Sequence, residues 1–326
     1  MQEFNSAWQP SASLELLHLR ANILARIRQF FAKKHILEVE TPLLSQATVT
    51  DKHLHSFQTE YYFANPHHKK TLYLQTSPEF AMKRLLAADS GPIYQICKAF
   101  RNQGESGRVH NPEFTMLEWY RPGFNHHDLM DEMEELLATL LDYKSAQRFT
   151  YFELFKNFLN IDPHHASLDV LKLAAQRCNV TTDHLSTMER DDWLNLLMTH
   201  CIEPKLPDYP VFIYDFPASQ AALAKIRPGN PPLAERFEVY VQGLELANGF
   251  HELNASQEQR QRFMNDLTQR EKMGYAAVPI DEHLLAALAH GFPDCAGVAL
   301  GVDRLIMLAA KKNTINEVIA FPLGNA

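Results

Sequence analysis

Residues 100–120, FRNQGESGRVHNPEFTMLEWY, gather cations, amides and acids at spacings that suit a single ligand site. Arg101 follows an apolar anchor, Phe100, and a second cluster, Arg108 to Glu113, follows across a polar turn marked by Gly104 and Gly107. An arginine fork meets phosphate or carboxylate oxygens two at a time. Glu118 and Tyr120 are two apart, so on a strand they project from one face. Cations for an anion beside carboxylates for an amine predict a site that takes a nucleotide and an amino acid together.

Two strands, Ile93 to Phe100 and Phe114 to Tyr120, are expected to carry this loop as a hairpin. Upstream, Leu19, Ile23, Ile27 and Phe30 recur at helical spacing within His18 to Lys34, and Ile36 to Glu40 reads as a strand that ends by Pro42. Leu72 to Thr76 is a further strand, after which Ser77 caps and Pro78 opens a helix running to about Ala88. His127 to Leu141 is amphipathic through Leu129, Met133, Leu136, Leu137 and Leu140. The stretch from about 150 to 205 is mostly helical and holds no concentrated chemistry, which suggests an insertion. Val211 to Tyr214, Ala234 to Gly243 and Leu244 to His251 are strand-like. Gln257 to Met273 and Ile280 to His290 read as helices, and Gly297 to Ala310 as a glycine turn before a closing helix. Strands and helices do not alternate as βαβ units, so the expected class is α+β with an antiparallel sheet flanked by helices.

The chain has 326 residues, enough for one large domain, and its 46% apolar and 21% charged composition is that of a globular protein. No run of about eighteen apolar residues calls for a membrane span, and the first residues lack the pattern of a secretory signal. Cys97, Cys178, Cys201 and Cys295 are scattered without a CxxC pair, and a reducing cytoplasm is the expected compartment. The net charge of −8 weighs against a nucleic-acid surface, whose affinity comes mainly from neutralising phosphates. The pairs His67–His68, His126–His127 and His164–His165 lack matching acids or cysteines in the sequence and are expected on the surface rather than on a metal.

Three segments, in this order, resemble the signature motifs of class II aminoacyl-tRNA synthetases. The first helix and strand with Thr41-Pro42 are similar to motif 1, which in that family builds a dimer interface. FRNQGESGRVHNPEF is similar to motif 2 and GVALGVDR to motif 3. The likeness covers almost the whole chain and is greatest to the catalytic domain of lysyl-tRNA synthetases. It implies ATP and magnesium as cofactors and a single catalytic domain over residues 1–326. Arg101 and Arg304 are the implied catalytic residues, Arg101 holding the α-phosphate and the substrate carboxylate. Asn102, Gln103, His110, Asn111, Leu246 and Gly301 belong to the implied ATP set, with Phe114 under adenine and Arg304 above it. Glu238 and Glu245 match acids that bind magnesium with ATP, and hard oxygen ligands suit that ion. Ser77, Pro78, Glu79, Glu118, Tyr120, Asn248 and Glu252 resemble the lysine-recognition set. Within it, Glu118, Tyr120 and Glu252 would meet the distal amine and Glu79 the nearer one, since a desolvated ammonium needs compensating acceptors.

Two departures refine the resemblance. Lysyl-tRNA synthetases place an anticodon-binding barrel before motif 1, whereas here motif 1 begins near residue 18, so no N-terminal barrel and no anticodon-specific tRNA binding are expected. Ala299 replaces the glycine usual in motif 3, on the floor of the amino-acid pocket. A methyl group there reshapes the reacting end while the distal acids are kept, which fits an amine moved from the α to the β carbon. On both points the chain resembles the elongation factor P–(R)-β-lysine ligases. That resemblance implies activation of (R)-β-lysine as an adenylate and its transfer to a lysine ε-amine of elongation factor P, by an enzyme that works as a homodimer. Alternatives are a stand-alone enzyme acting on tRNA, a non-catalytic regulatory relative, or an ammonia-dependent asparagine synthetase, whose dicarboxylate substrate would not need Glu118 and Glu252. Motif 2 usually reads Arg-x-Glu; here either Gln103 takes the acid's place, offering its carbonyl to adenine, or Glu105 does.

Overall fold

Ser13 explains where the first helix starts. Its Oγ accepts the Leu16 N–H at 3.3 Å, so α1 spans Leu14–Lys33 and opens four residues before the expected His18. Its apolar stripe buries Ile23, Ile27, Phe30 and Phe31, and Phe31 stacks on Tyr94 with ring centroids 4.4 Å apart. A computed structural model describes residues 8–65, 67–103, 107–143, 145–180 and 188–326 of the chain.

The strands, in order, are β1 (Leu37–Glu38), β2 (Leu44–Ser45), β3 (Gln58–Tyr62), β4 (Lys69–Leu74), β5 (Ile93–Phe100), β6 (Glu113–Pro122), β7 (Gln147–Thr150), β8 (Val211–Pro217), β9 (Ile226–Arg227), β10 (Leu233–Val241), β11 (Leu244–His251) and β12 (Cys295–Gly301). The further helices are α2 (Glu79–Ala87), α3 (His126–Leu140), α4 (Tyr151–Leu159), α5 (Leu168–Arg177), α6 (Arg190–Leu197), α7 (Ser256–Lys272), α8 (Glu282–Gly291) and α9 (Val302–Ala309). They form two compact units. The first comprises Met1–Gly123, Asn254–Asp294 and Ala299–Ala326; the second comprises Phe124–Leu253 and Cys295–Val298.

In the first unit β5 and β6 form an antiparallel ladder that sets Gln95 opposite Glu118 and Phe100 opposite Glu113. β1 lies parallel to β5, a departure from the expected antiparallel sheet. A separate three-stranded sheet runs β2-β4-β3. Gly297, which belongs to the second unit, lies inside β12 rather than in a turn, and the chain bends into α9 only at Gly301. Asp303, in the first turn of α9, accepts Arg20 Nη1 at 2.6 Å and the Thr115 backbone N–H at 2.6 Å. The first helix, the motif 3 helix and β6 are thereby locked around one buried carboxylate.

In the second unit the order is β11-β10-β8-β7, with β7 parallel to β8 and the other pairs antiparallel. α3 begins at a capping box of Asn125 and Asp128 and buries all five of its expected apolar residues. Helices α4 to α6 pack Leu154, Phe155, Leu171, Trp193 and Leu197 into one core with Val211, Ile213 and Ala234 of the strands. The helical stretch thus shares its core with β8 and β10. Gln242 and Gly243 turn β10 into β11 at φ 55° and 70°. Such a two-residue turn needs left-handed backbone, and a Cβ on Gly243 would lie 2.9 Å from the Glu203 carbonyl oxygen.

Candidate active site

In the first unit the strand alternation of β6 puts Phe114, Glu118 and Tyr120 on one face. Glu118 is buried; its Oε1 accepts Ser77 Oγ at 2.6 Å and its Oε2 accepts the Tyr120 hydroxyl at 3.0 Å. Ser77 Oγ also accepts the Glu79 N–H at 3.0 Å. Pro78 is the N-cap residue of α2 rather than its first helical residue, so Ser77 does the capping from one position earlier. Three of the expected amine-recognition residues are therefore joined through one carboxylate. Glu79 is arranged differently. Its Oε1 pairs with Lys83 Nζ at 2.6 Å, one turn along α2, and that lysine is buried. The pairing escapes a reading of motifs, although the i,i+4 spacing is its signal.

The loop residues fall into two groups. Arg101 sets its guanidinium 5.1 Å from the centroid of Phe114, while its Nε is buried without a hydrogen-bond partner. A buried cationic donor left open in this way suits an anionic ligand. Arg304 reaches His110, with Nη2 2.8 Å from the histidine Nε2, so His110 accepts there as the neutral ring. Gly301 is the N-cap residue of α9, where a Cβ would make only ordinary contact, 3.6 Å, with the Arg304 side chain. Asn111 is buried and engaged by backbone: Nδ2 donates to Glu113 O at 2.7 Å and Oδ1 accepts Leu323 N–H at 3.1 Å. Its side chain holds the loop in shape. The Asn102 N–H donates to His55 O at 2.7 Å, and exposed Gln103 has left-handed backbone at φ 57°. Both line a cavity of about 390 Å³ shared with His55, Arg270 and Tyr275. Glu105 lies outside the described residues, as does Gly104. Ala299 is half-buried near the end of β12.

Beside Glu118, burial and that carboxylate push the Cys97 thiol up to about 12. It is a protonated thiol at neutral pH and no nucleophile.

The second unit holds Glu238 and Glu245, the acids expected at magnesium. Arg236, Glu238 and Tyr240 alternate along one face of β10. Arg236 pairs with Glu238 through Nη2, donates through Nε to Asn248 Oδ1 at 3.2 Å, and sits 4.6 Å from the centroid of Phe216. Arg236 was not among the expected residues, although its place two before Glu238 is a legible signal. The Tyr240 hydroxyl donates to Glu238 Oε2 at 2.8 Å and approaches Glu203 Oε1 at 3.4 Å. Burial pushes the Glu238 carboxyl up, Arg236 pulls it down, and Glu245 raises it again. Burial and then the Glu245 charge push Glu203 up to about 7. Carboxylates that raise one another's pKa form a set short of positive charge, which fits a divalent cation with oxygen ligands. Leu246 is buried on β11; Glu252 is buried too, its N–H donating to Cys295 O at 2.9 Å.

One expected surface residue is not on the surface. His126 is 1% exposed, and its ring lies against Asp215, with Nε2 3.5 Å from Oδ1. Its partners come from strands more than eighty residues downstream, so neighbouring sequence could not reveal them.

A family model described as tRNA synthetases class II (D, K and N) matches residues 7–325. Among curated relatives, the elongation factor P–(R)-β-lysine ligase of Vibrio atlanticus (strain LGP32) is 55% identical over 319 residues, 98% of each chain. The protein of that name from Vibrio cholerae serotype O1 is 55% identical over 325 residues, 99% of each chain. That of Edwardsiella ictaluri is 52% identical over 322 residues, 98% of this chain and 99% of the relative.

Proposed function

This chain belongs to the class II tRNA synthetase family (D, K and N), and from that premise we propose that it is an ATP-dependent ligase that attaches (R)-β-lysine to elongation factor P. The observation that carries the reading is its likeness, at 55% identity over 98% of both chains, to a relative named for that reaction. The β-lysine carboxylate attacks the α-phosphorus of ATP and pyrophosphate leaves. The ε-amine of a lysine on the factor then attacks the carbonyl carbon of the mixed anhydride; AMP leaves with the bonding pair and the amine loses its proton.

In the first unit, the open donor of Arg101 supports a role on the α-phosphate and carboxylate, with Phe114 beneath adenine. Arg304, held by neutral His110, supports charge at the outer phosphates, with Gly301 beside it in the nucleotide set. Asn102 and Gln103 complete the nucleotide contacts, and Asn111 positions their loop. Glu118 accepts the distal ammonium, held in place by Ser77 and Tyr120, while Pro78 and Glu79 shape the other end and Ala299 limits space near the reacting carbon. In the second unit, Asn248 and Glu252 serve amino-acid recognition, and Leu246 supports the nucleotide set. Glu238 and Glu245 would hold magnesium, which when bound neutralises phosphate charge. Catalysis is then positioning and electrostatic stabilisation, with no enzyme nucleophile.

The chain works as one catalytic domain, with the helices near 150–205 as an insertion. A homodimer through the motif 1 region is supported by exposed Leu37, Leu43 and Leu44 beside β1 and β2. No helix among the described residues is long and apolar enough to cross a membrane. A cytoplasmic location follows from the proposed acceptor, a translation factor.

Incubation with ATP, (R)-β-lysine and unmodified elongation factor P should add one β-lysyl group to the factor, read by intact mass. No gain in mass, or lysine appearing on tRNA at matching rates, overturns the reading.

A further inference from the structure

A second constellation lies in the second unit, away from the acids of Glu238. Glu235 is three residues before Glu238 on β10, so the two side chains leave opposite faces of the strand. On that other face Glu235 meets His251 of β11, with Oε2 2.6 Å from Nδ1. His126, in the first turn of α3, completes the group. One ligand atom from each of His126, Glu235 and His251 lies within 4.8 Å of the others. Both ring nitrogens of His126 are buried without a hydrogen-bond partner, and so is Asp215 Oδ1 beside it.

We propose that His126, Glu235 and His251 form a zinc site, with Asp215 as the carboxylate that orients His126. Two imidazoles and a carboxylate are a borderline-soft donor set that suits zinc better than magnesium. Zinc bonds of about 2.0–2.2 Å put ligand atoms of a tetrahedron roughly 3.3–3.6 Å apart. The cluster brackets that spacing, so binding requires side-chain adjustment and no change of fold. A metal-bound histidine ordinarily gives its second ring nitrogen to a carboxylate. Asp215 is placed for this, 3.5 Å from His126 Nε2. It holds that place from left-handed backbone at φ 58°, where the β8–β10 register shifts. Such a bulge re-aims a side chain.

Two cations stand at the cluster's rim. Arg227 pairs with Asp215 at 2.7 Å and approaches Glu235 at 3.6 Å, and Lys225 Nζ lies 3.2 Å from His251 Nε2. The Arg227 side chain is 40% exposed and can turn to solvent, whereas His126 at 2% cannot. Zinc would replace their charge with its own, balanced by the carboxylates of Asp215 and Glu235.

The test uses full-length protein freed of metal by chelation, then given zinc or cobalt(II) with excess magnesium to occupy hard oxygen sites. About one zinc per chain should survive gel filtration, and cobalt should give the visible bands of a four- or five-coordinate ion. His126→Gln and His251→Gln should each weaken zinc binding by at least about 10-fold, and Asp215→Asn by roughly 10- to 100-fold. The double variant Glu238→Gln, Glu245→Gln should bind zinc as the parent does. No retained zinc in the parent overturns the proposal. So does zinc that persists unchanged in folded His126→Gln or His251→Gln. Should one histidine variant fail to fold, the other and Asp215→Asn decide the question.

Discussion

Ser77 Oγ donates a 2.6 Å hydrogen bond to Glu118 Oε1 while accepting the Glu79 N–H at 3.0 Å. One hydroxyl therefore fixes both the start of α2 and the aim of a buried carboxylate. Ser77→Ala is expected to raise KM for β-lysine about 10-fold with a smaller effect on kcat, and to lower stability by about 1 kcal/mol. Amino-acid-dependent ATP–pyrophosphate exchange and urea unfolding measure the two effects. An unchanged KM would leave Ser77 a helix cap and nothing more.

Glu118→Gln keeps the shape and removes the charge that the distal ammonium needs. A hydrogen bond to a charged group is worth about 1.5–3 kcal/mol, so exchange activity at low β-lysine should fall roughly 10- to 150-fold. A loss confined to kcat would place Glu118 elsewhere in the reaction.

Ala299→Gly removes one methyl group at a half-buried position near the end of β12. A change of that size discriminates by about 1–3 kcal/mol. Relative activation should shift toward α-lysine by roughly 10-fold or more, read by exchange with each isomer in turn. An unaltered ratio of the two rates would remove this account of the methyl.

Asp303→Ala leaves Arg20, whose side chain is 18% exposed, without its ion-pair partner, keeping only its bond to Thr115 Oγ1, and frees the Thr115 N–H. Breaking a buried pair costs about 3–5 kcal/mol. The urea midpoint should fall accordingly, and a change under ~1 kcal/mol would show that the strut does not hold α1, α9 and β6 together.

Glu203 should give stability a pH slope. Its carboxyl is raised from 4.5 to about 7, by burial first and Glu245 next. The native state therefore keeps a proton that the unfolded chain releases. The resulting stabilisation is complete below about pH 4.5 and is lost as pH rises through about 7. In magnesium-free buffer the parent should lose stability relative to Glu203→Gln between pH 5 and pH 8. Parallel urea midpoints across that range would reject the assignment.

Much of this was legible in the amino-acid order. β5 and β11 match their expected bounds to the residue, because the turn residues that flank them are local signals. The five apolar positions of α3 all enter the core, since a helical stripe has one place to go. Ser77, Glu118 and Tyr120 were expected together and are joined by hydrogen bonds. Even Arg236, which was missed, follows from the same period of two that singled out Glu238.

Tertiary structure decided what local spacing cannot encode, namely which distant side chains meet. Arg20 and Asp303 are 283 residues apart, and nothing in either neighbourhood names the other. Asn111 is expected in the nucleotide set, and only folding shows that its amide engages the backbone of Glu113 and Leu323. His126 read as a surface residue beside a second histidine, yet folding buries it against Asp215. Sequence period specifies the face on which a side chain leaves its element. What stands opposite that face depends on how strands and helices pack, and burial makes that meeting energetically decisive.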